Sequence, residues 1–534
     1  MGAGGLGAAE TVLREGLLRL GGELLGDLLS GDPGHRGPRV PCGNGHQAEF
    51  TDYRGKTFDT VLGPVTLRRA WYHCAACRHG LAPRDAGPGI TGTSLAPGLA
   101  AMTGTAAAAG PFAKAALLLA ELAGVILDVK RVERAAEASG AAQSAAVRDR
   151  AAAIAGRRAA AEPPRVTPDM LYAAVDGTGL TMTAKETEDR EGKGEDGRAR
   201  TRELKLGVFF TQDKVDDEGR PVRDRESSSY VSTLEPVSVF TDLVKAEGIR
   251  RGADHVRQLT ILGDGAAWIW AMAAATFPEA TCIAGLYHAR EHLASLAKSL
   301  EFILPDKDEW LAARREDLDN GRIDRIEAAV REYDLAEPQN TETGKELGYF
   351  LNNRTRMRYS WFRSRGLFVG SGVVEAGCKA VIGQRLKLSG MRWTAPGADA
   401  IAALRCQQAS RPEDRIWPAH HNQTLAALPA TPAKRSCSPT KLSCTRGETA
   451  GGGTRRRLLG RADRPGRHAN RRGSAPIGRS SARTPLRQAH GRQSAPQRLI
   501  PASDSPGVCS PRLLANVGVV LVFIAFYLRF LKHS

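Results

Sequence analysis

The 534-residue chain lacks the features that would place it in several protein classes. Nine cysteines are too few and too scattered for a disulfide scaffold, and no signal peptide opens the sequence, so a reducing cytoplasm is the expected setting. Aromatic residues make up only 6%, yet a chain this long can still bury a substantial core divided among two to four domains. Excess charge is missing from most of it. The formal net charge is +17, but 22 of the 75 basic and 5 of the 58 acidic residues follow residue 410, leaving 53 of each before it. A neutral body cannot hold a polyanion by a global field and must use local clusters, such as Arg354, Arg356 and Arg358, or Arg385, Lys387 and Arg392. Long apolar runs are also missing. The candidate LLANVGVVLVFIAFYL at 513–528 has 16 residues, slightly short for a spanning helix, so a C-terminal anchor is not the expectation. Gly2, Gly4 and Gly7 match a G-x-G-x-x-G spacing, but no strand precedes them, and no small-molecule cofactor is expected.

What the chain does have is three acidic residues in distinctive settings. Asp176 closes the apolar run LYAAVDGTGL, which reads as a strand breaking into a Gly-rich turn. Asp264, 88 residues later, repeats the arrangement in LTILGDGAAWIW, where a helical pattern follows. Glu375, another 111 residues on, lies in GSGVVEAGCKAVIGQRLKLSGMRW, inside a helix start after a Gly-Ser-Gly break. Two strand-end aspartates and a helical glutamate can supply the oxygen ligands that hard cations such as Mg²⁺ or Mn²⁺ require. Two such cations roughly 4 Å apart can clamp the attacking and leaving oxygens of a phosphodiester.

The strings AVDGTG (174–179), TRELKLGVFFTQ (201–212), DEGRPVRD (217–224), ILGDGAAWIW (261–270), YHAREHL (287–293) and the block from Gly370 to Gln408 occur in an order and spacing that resemble bacterial insertion-sequence transposases of the ISKra type. The resemblance covers roughly residues 40–418. It implies an α/β fold with a ribonuclease-H-like catalytic core, and makes Asp176, Asp264 and Glu375 the catalytic, Mg²⁺-binding carboxylates of a DNA strand-cleavage and strand-transfer reaction. Relatives of this type usually carry an acidic residue or Cys three positions before the histidine of the YHAREHL segment; here that position is Gly285. His288 is retained, and with Tyr287 and Glu291 it would orient groups beside Asp264, although a histidine at an apolar strand end is as readily a packing residue.

Residues 1–38 are expected to form an N-terminal helix, and 39–92 a β region with a zinc site. Cys42 and His46, then Cys74 and Cys77, give a C-x₃-H…C-x₂-C arrangement in which two knuckles flanking a hairpin would supply four N/S ligands to Zn²⁺. Thiols without metal remain the alternative, and His79 a spare ligand. Residues 93–165 read as a helical, helix-turn-helix-like region of two short helices around Gly124. Lys130, Arg131 and Arg134 would then face DNA, or else form a solvated face. The catalytic domain would occupy 166–410, with a helical insertion near 306–350. Lys379, Arg385, Lys387 and Arg392 would meet phosphate, and Trp393 is expected to be a buried aromatic rather than a base-stacking one.

The stretch 411–512 is a basic, low-complexity tail with 19 Arg and 3 Lys among its basic residues when 513–534 is counted with it. Such an Arg-rich, periodicity-free composition implies disorder, and is what out-of-frame reading of GC-rich DNA produces; a DNA-binding tail is the alternative. Together these readings predict a cytoplasmic, nucleoid-associated transposase that binds double-stranded DNA at the terminal inverted repeats of its element, as a homo-oligomer. The alternative is a catalytically inactive remnant that still binds DNA.

Overall fold

The computed structural model of the protein describes residues 5–161, 167–188, 190–192, 197, 199–333 and 342–410. The expected basic tail and apolar C-terminal segment lie outside them. Among the described residues no helix is long and apolar enough to cross a membrane.

Helix α1 (Gly5–Ser30) leads into a four-stranded antiparallel sheet of β1 (Arg39–Pro41), β2 (Gln47–Thr60), β3 (Gly63–Cys74) and β4 (His79–Leu81), in that order. Alternation along β3 buries Val65 and Leu67 on one face, and further along Ala70, Tyr72 and Cys74 on the other, where they pack with Val40 and Ala48. Leu25 and Leu29 of α1 close over Phe58, Val65 and Leu67, so the first helix and the hairpin share a small core.

Helices α2 (Pro97–Ala109), α3 (Phe112–Leu118) and α4 (Val129–Ala155) follow. Gly124 makes the expected turn, at φ +69°, after a π-helical turn at Leu119–Ala123. The expected second short helix is instead the 27-residue α4, started by Asp128, whose side chain accepts a hydrogen bond from the Arg131 N–H. Its small residues allow close packing on α14 (Ala395–Ala409): a Cβ at Gly140 would collide with the Ala400 carbonyl. Asp399 of α14 ties the pair together. It accepts hydrogen bonds from Ser144 (2.6 Å) and Arg148 (2.8 Å) of α4 and from the Leu234 N–H (3.2 Å). Residues from Leu95 to Ile154 therefore share one hydrophobic core with the α/β region.

The second sheet is built on β5 (Met170–Thr181), β6 (Thr201–Val215), β7 (Pro221–Arg223), β8 (Ser229–Thr233), β9 (Gln258–Gly263) and β10 (Thr281–Ala284). Its order is β10-β9-β5-β6, with β8 and β7 both on the outer edge of β6. β5, β9 and β10 are parallel; β6 is antiparallel to β5 and to β8. Leu171–Val175 are all buried, as a central strand covered on both faces requires. The expected strand break at Gly177 does not occur. β6 pairs with β5 along its whole length, Gly177 opposite Lys205 and Gly179 opposite Glu203, so the strand continues to Thr181. Helices α5 (Val237–Arg250), α6 (Ala267–Thr276) and α7 (Leu286–Ser299) connect or follow the strands. The expected helical insertion comprises α8 (Lys307–Asp319), α9 (Ile323–Arg331) and α10 (Glu342–Asn353), and α11 (Tyr359–Ser364) follows it. Then come α12 (Gly372–Gly377), a π-helical turn at Cys378–Gly383 and the single turn α13 (Gln384–Leu386).

Arg385 does not face phosphate. It is 1% exposed, donates from Nε to the Ala107 carbonyl (2.7 Å), and lies over the rings of Phe112 (4.8 Å) and Trp393 (5.2 Å). Burial, with Arg405 nearby, brings its guanidinium pKa down to about 10. Trp393 is buried as expected, its indole N–H donating to the Leu386 carbonyl (2.8 Å). A buried cation held by one carbonyl, the Met391 sulfur (3.7 Å) and two rings gains little over an apolar side chain of like size, whereas truncation leaves a cavity. Thermal denaturation of Arg385→Met is expected to match or exceed the unmodified protein, while Arg385→Ala loses about 3 kcal/mol. A Met variant that fails to fold would show that the charge itself is needed.

Candidate functional site

Three segments meet at the carboxyl end of the parallel strands. Asp264 follows the last residue of β9, as expected. Gly265, at φ +107°, turns the chain into α6, and the Ala266 N–H donates to Asp264 Oδ1 (2.9 Å). Asp176 lies one strand away on β5, its Oδ1 accepting from the Gly177 N–H (2.7 Å). The third segment is α12, which carries Glu375 in its first turn. It approaches the sheet closely at Gly377, where a Cβ would press on Tyr230 and Val208 at 3.2 Å. The next residue, Cys378, opens the π-helical turn and donates its thiol to Asp176 Oδ2 (3.3 Å).

His288 is in the first turn of α7, not at a strand end as the sequence suggested, because β10 stops at Ala284 and Gly285 starts the helix. From there its Nε2 reaches Glu375 Oε1 (3.6 Å) and its Nδ1 reaches Glu291 Oε2 (3.2 Å). Tyr287 is 60% exposed. Gly285 has a structural reason as well: a Cβ there would lie 2.5 Å from Ser371 Oγ, the hydroxyl that donates to Glu375 Oε1 (2.7 Å). The missing side chain leaves room for the serine that orients the glutamate.

Burial pushes the Asp176 carboxyl above the usual carboxylate range, and the negative charge of Asp264 adds to this; the Cys378 thiol and the Gly177 N–H oppose it. The same burial, with Asp176 beside it, raises the Cys378 thiol. A carboxyl with a raised folded-state pKa contributes stability below the ordinary carboxylate range, and that contribution is lost as pH rises through the raised value. Ionised Asp176 therefore costs the protein stability at neutral pH. Asp176→Asn is expected to melt higher than the unmodified protein at pH 8 without added divalent cation, and the gain should vanish near pH 3. An equal or lower melting temperature at pH 8 would contradict this.

Sequence reasoning missed the supports of the Asp264 turn. Tyr349 of α10 donates its hydroxyl to the Asp264 carbonyl (2.9 Å), and its ring occupies the space a Cβ on Gly265 would take. Asn353 Nδ2 donates to the Gly265 carbonyl (3.4 Å), and its Oδ1 accepts from the Trp270 indole (2.8 Å). No local pattern marks these two residues, since they act 85 or more positions from the turn. Ser371 had a signal, the Gly-Ser-Gly break before α12.

The N-terminal cluster is more tightly gathered than the carboxylates. Cys42 and His46 lie in the turn between β1 and β2; Cys74 ends β3, and Cys77 lies in the turn from it to β4. Their ligand atoms all lie within 4.8 Å of one another, and among the described residues this is the only such group of Cys, His, Asp or Glu. Asp176, Asp264 and Glu375 are not drawn into a comparable set. The Cys42 and Cys77 sulfurs are 3.7 Å apart, close to the edge of a tetrahedron with Zn–S bonds of about 2.3 Å. The Cys77 N–H points at Cys74 Sγ (3.4 Å); the Asn44 N–H, with other donors, lowers the Cys42 thiol to about 6, whereas the Cys77 thiol, against the Asn44 side chain, is raised by burial and by Cys74 and Cys42 beside it. The four residues fit a metal ion such as zinc.

No protein-family profile matches this chain, and no curated protein matches it.

The basic residues expected at DNA divide. Lys379, Lys387 and Arg392 are exposed, and Lys387 Nζ bonds Thr178 Oγ1, two residues beyond Asp176 on the same strand. Lys130 is exposed but paired with Glu133 (2.8 Å), and Arg134 donates to the Lys130 carbonyl (3.2 Å). Arg131 is a correction: its guanidinium bonds Asp59 of β2 and Ser94 Oγ (3.0 Å), fastening α4 to the N-terminal sheet.

Proposed function

We propose that the chain is an insertion-sequence transposase of the ISKra type, cleaving and joining DNA strands with Asp176, Asp264 and Glu375 on a ribonuclease-H-like core. The observation that carries this reading is the contact of Cys378 with Asp176, which seats the Glu375 helix on the strand beside Asp264. The strand order supports it: three antiparallel strands, β8-β6-β5, continue into the parallel β9 and β10, the arrangement that puts β5 and β9 side by side, with Asp176 on one and Asp264 just past the end of the other.

Two divalent cations, when bound, supply activation of a water or 3′-hydroxyl and charge neutralisation at the leaving oxygen. The residues prepare for that. Asp176 and Asp264 place two carboxylates at one sheet end, at an electrostatic cost that a cation would offset. Ser371 and His288 hold Glu375 toward them. Glu291, on the other nitrogen of His288, fixes the imidazole beside Glu375. Lys387, above Thr178, is positioned for a phosphate of the bound strand. Terminal inverted repeats in double-stranded DNA are the substrate in this reading, and two ends imply two or more copies of the chain.

The looser gathering of the three carboxylates favours a second reading, a DNA-binding protein that no longer turns over. Incubating the full chain with duplex DNA carrying the element's ends and Mg²⁺ or Mn²⁺ separates them. End-specific strand breaks support the transposase. Retention of the DNA without breaks, by protein shown to be folded, supports the remnant.

A further inference from the structure

A second feature lies at the other end of β10. Residues 354–365, RTRMRYSWFRSR, carry five arginines in twelve positions and wrap a groove of about 380 Å³ whose lining includes Trp270, Cys282, Arg356, Arg358 and Trp361. Its arginines behave in two ways. Arg354 is neutralised by Asp324 (3.1 Å) and by Glu327, and Arg363 donates to the Asp319 carbonyl (3.1 Å). Arg356, Arg358 and Arg365 have no carboxylate partner among the described residues. Each lies over an indole instead: Arg356 over Trp270 (4.9 Å), Arg358 over Trp361 (4.8 Å) and Arg365 over Trp361 (4.4 Å).

A guanidinium over a ring is held by its face, which leaves its N–H donors at the edge; one of these in Arg356, at Nη1, donates to the Asn352 carbonyl (3.0 Å), and its other donors face outward. Trp361, 37% exposed, thus arrays two forks at the surface, and Trp270 holds the third at the groove wall. Arg356 and Arg358 in the groove lining, with Arg365 beside it on the Trp361 ring, suit phosphates spaced along a strand, since the bidentate N–H pair matches two phosphate oxygens. The groove opens by Thr281 and Cys282 at the start of β10, whereas the carboxylate site lies beyond its end. Four residues at about 3.3 Å each separate them by roughly 13 Å.

We infer that this groove is a second nucleic-acid site, binding the backbone of duplex DNA through Arg356, Arg358 and Arg365 away from the strand being cut. The inference rests on the transposase reading for its choice of DNA over other polyanions. The indoles are positioning residues, and the arginines make the contacts.

The test is the salt dependence of full-chain binding to a 30-base-pair duplex, compared with the triple variant Arg356→Gln/Arg358→Gln/Arg365→Gln. Each phosphate contact contributes about 0.9 to the slope of log K against log salt, so the variant's slope should be shallower by about 2 to 3. An unchanged slope overturns the proposal. Should the triple variant fail to fold, the unmodified protein still decides. Cys282 lines the groove, so bound DNA should slow its alkylation by maleimide severalfold, and equal rates with and without DNA overturn the proposal. Asp176→Ala is the control and should keep both the slope and the protection. Protection without cleavage by the unmodified protein would leave the groove standing and the transposase reading fallen; cleavage with an unchanged slope in the variant would do the reverse.

Discussion

Substituting Asp176, Asp264 or Glu375 by alanine, one at a time, is expected to abolish cation-dependent cleavage of end-bearing DNA, with losses of at least about 10²-fold, the upper range seen when only an outer support of a metal site is removed. The three losses should not add, because residues that act as a unit fail together. Two neighbouring substitutions sharpen the expectation. Ser371→Ala removes the hydroxyl on Glu375 Oε1 and should lower the rate without eliminating it. Gly285→Asp introduces the acidic residue that the resemblance leads one to expect, but its Cβ would meet Ser371 Oγ at 2.5 Å; activity should fall rather than rise. Single-turnover cleavage on a labelled duplex measures all five variants. Full activity in any one of the three alanine variants would remove that residue from the triad.

The second large effect concerns the N-terminal sheet. Structural zinc in small metal-dependent domains is worth about 10–16 kcal/mol at neutral pH. The hairpin here also has the support of α1, so the full figure is not expected. Cys74, at the end of β3, is fully buried, and Cys74→Ser should cost several kcal/mol and the bound metal with it. Elemental analysis should find about one zinc per chain in the unmodified protein and none in the variant. Hydrogen exchange should show β1 to β4 losing protection on chelation, while the large sheet keeps it. Protein that carries no metal, and whose hairpin is indifferent to a chelator, would assign the four side chains to packing alone.

Much of this arrangement could be read from local pattern, and the exceptions share a cause. β9 and Asp264 were legible because an apolar run ends in Asp-Gly, and a positive φ at that glycine turns the chain where the sequence says it should. The C-x₃-H and C-x₂-C pairs were legible because hairpin geometry returns the two knuckles to one end. Arg131 and Arg385 show the limit. Both lie in basic stretches that look solvent-facing, but partners far away in sequence decide their fate: Asp59 for Arg131, and Ala107 and Phe112 for Arg385. The same holds for Asp176. Its glycines suggested a turn, and an eleven-residue ladder with β6 kept them extended. Tertiary pairing overrode local preference wherever the partner lay far along the chain.

The hold of Tyr349 and Asn353 on the Asp264 turn bears on synthesis. A growing polypeptide exposes β5 and β9 early, with both aspartates in place, but the turn that aims Asp264 lacks its buttress until α10 has been made. Glu375 and Ser371 come later still. A chain truncated by premature release before residue 349 therefore carries both strand carboxylates without the side chains that fix them. Under the function proposed above, abortive products of translation are expected to be inert toward DNA ends, and only a chain elongated past α12 carries all three carboxylates with their supports.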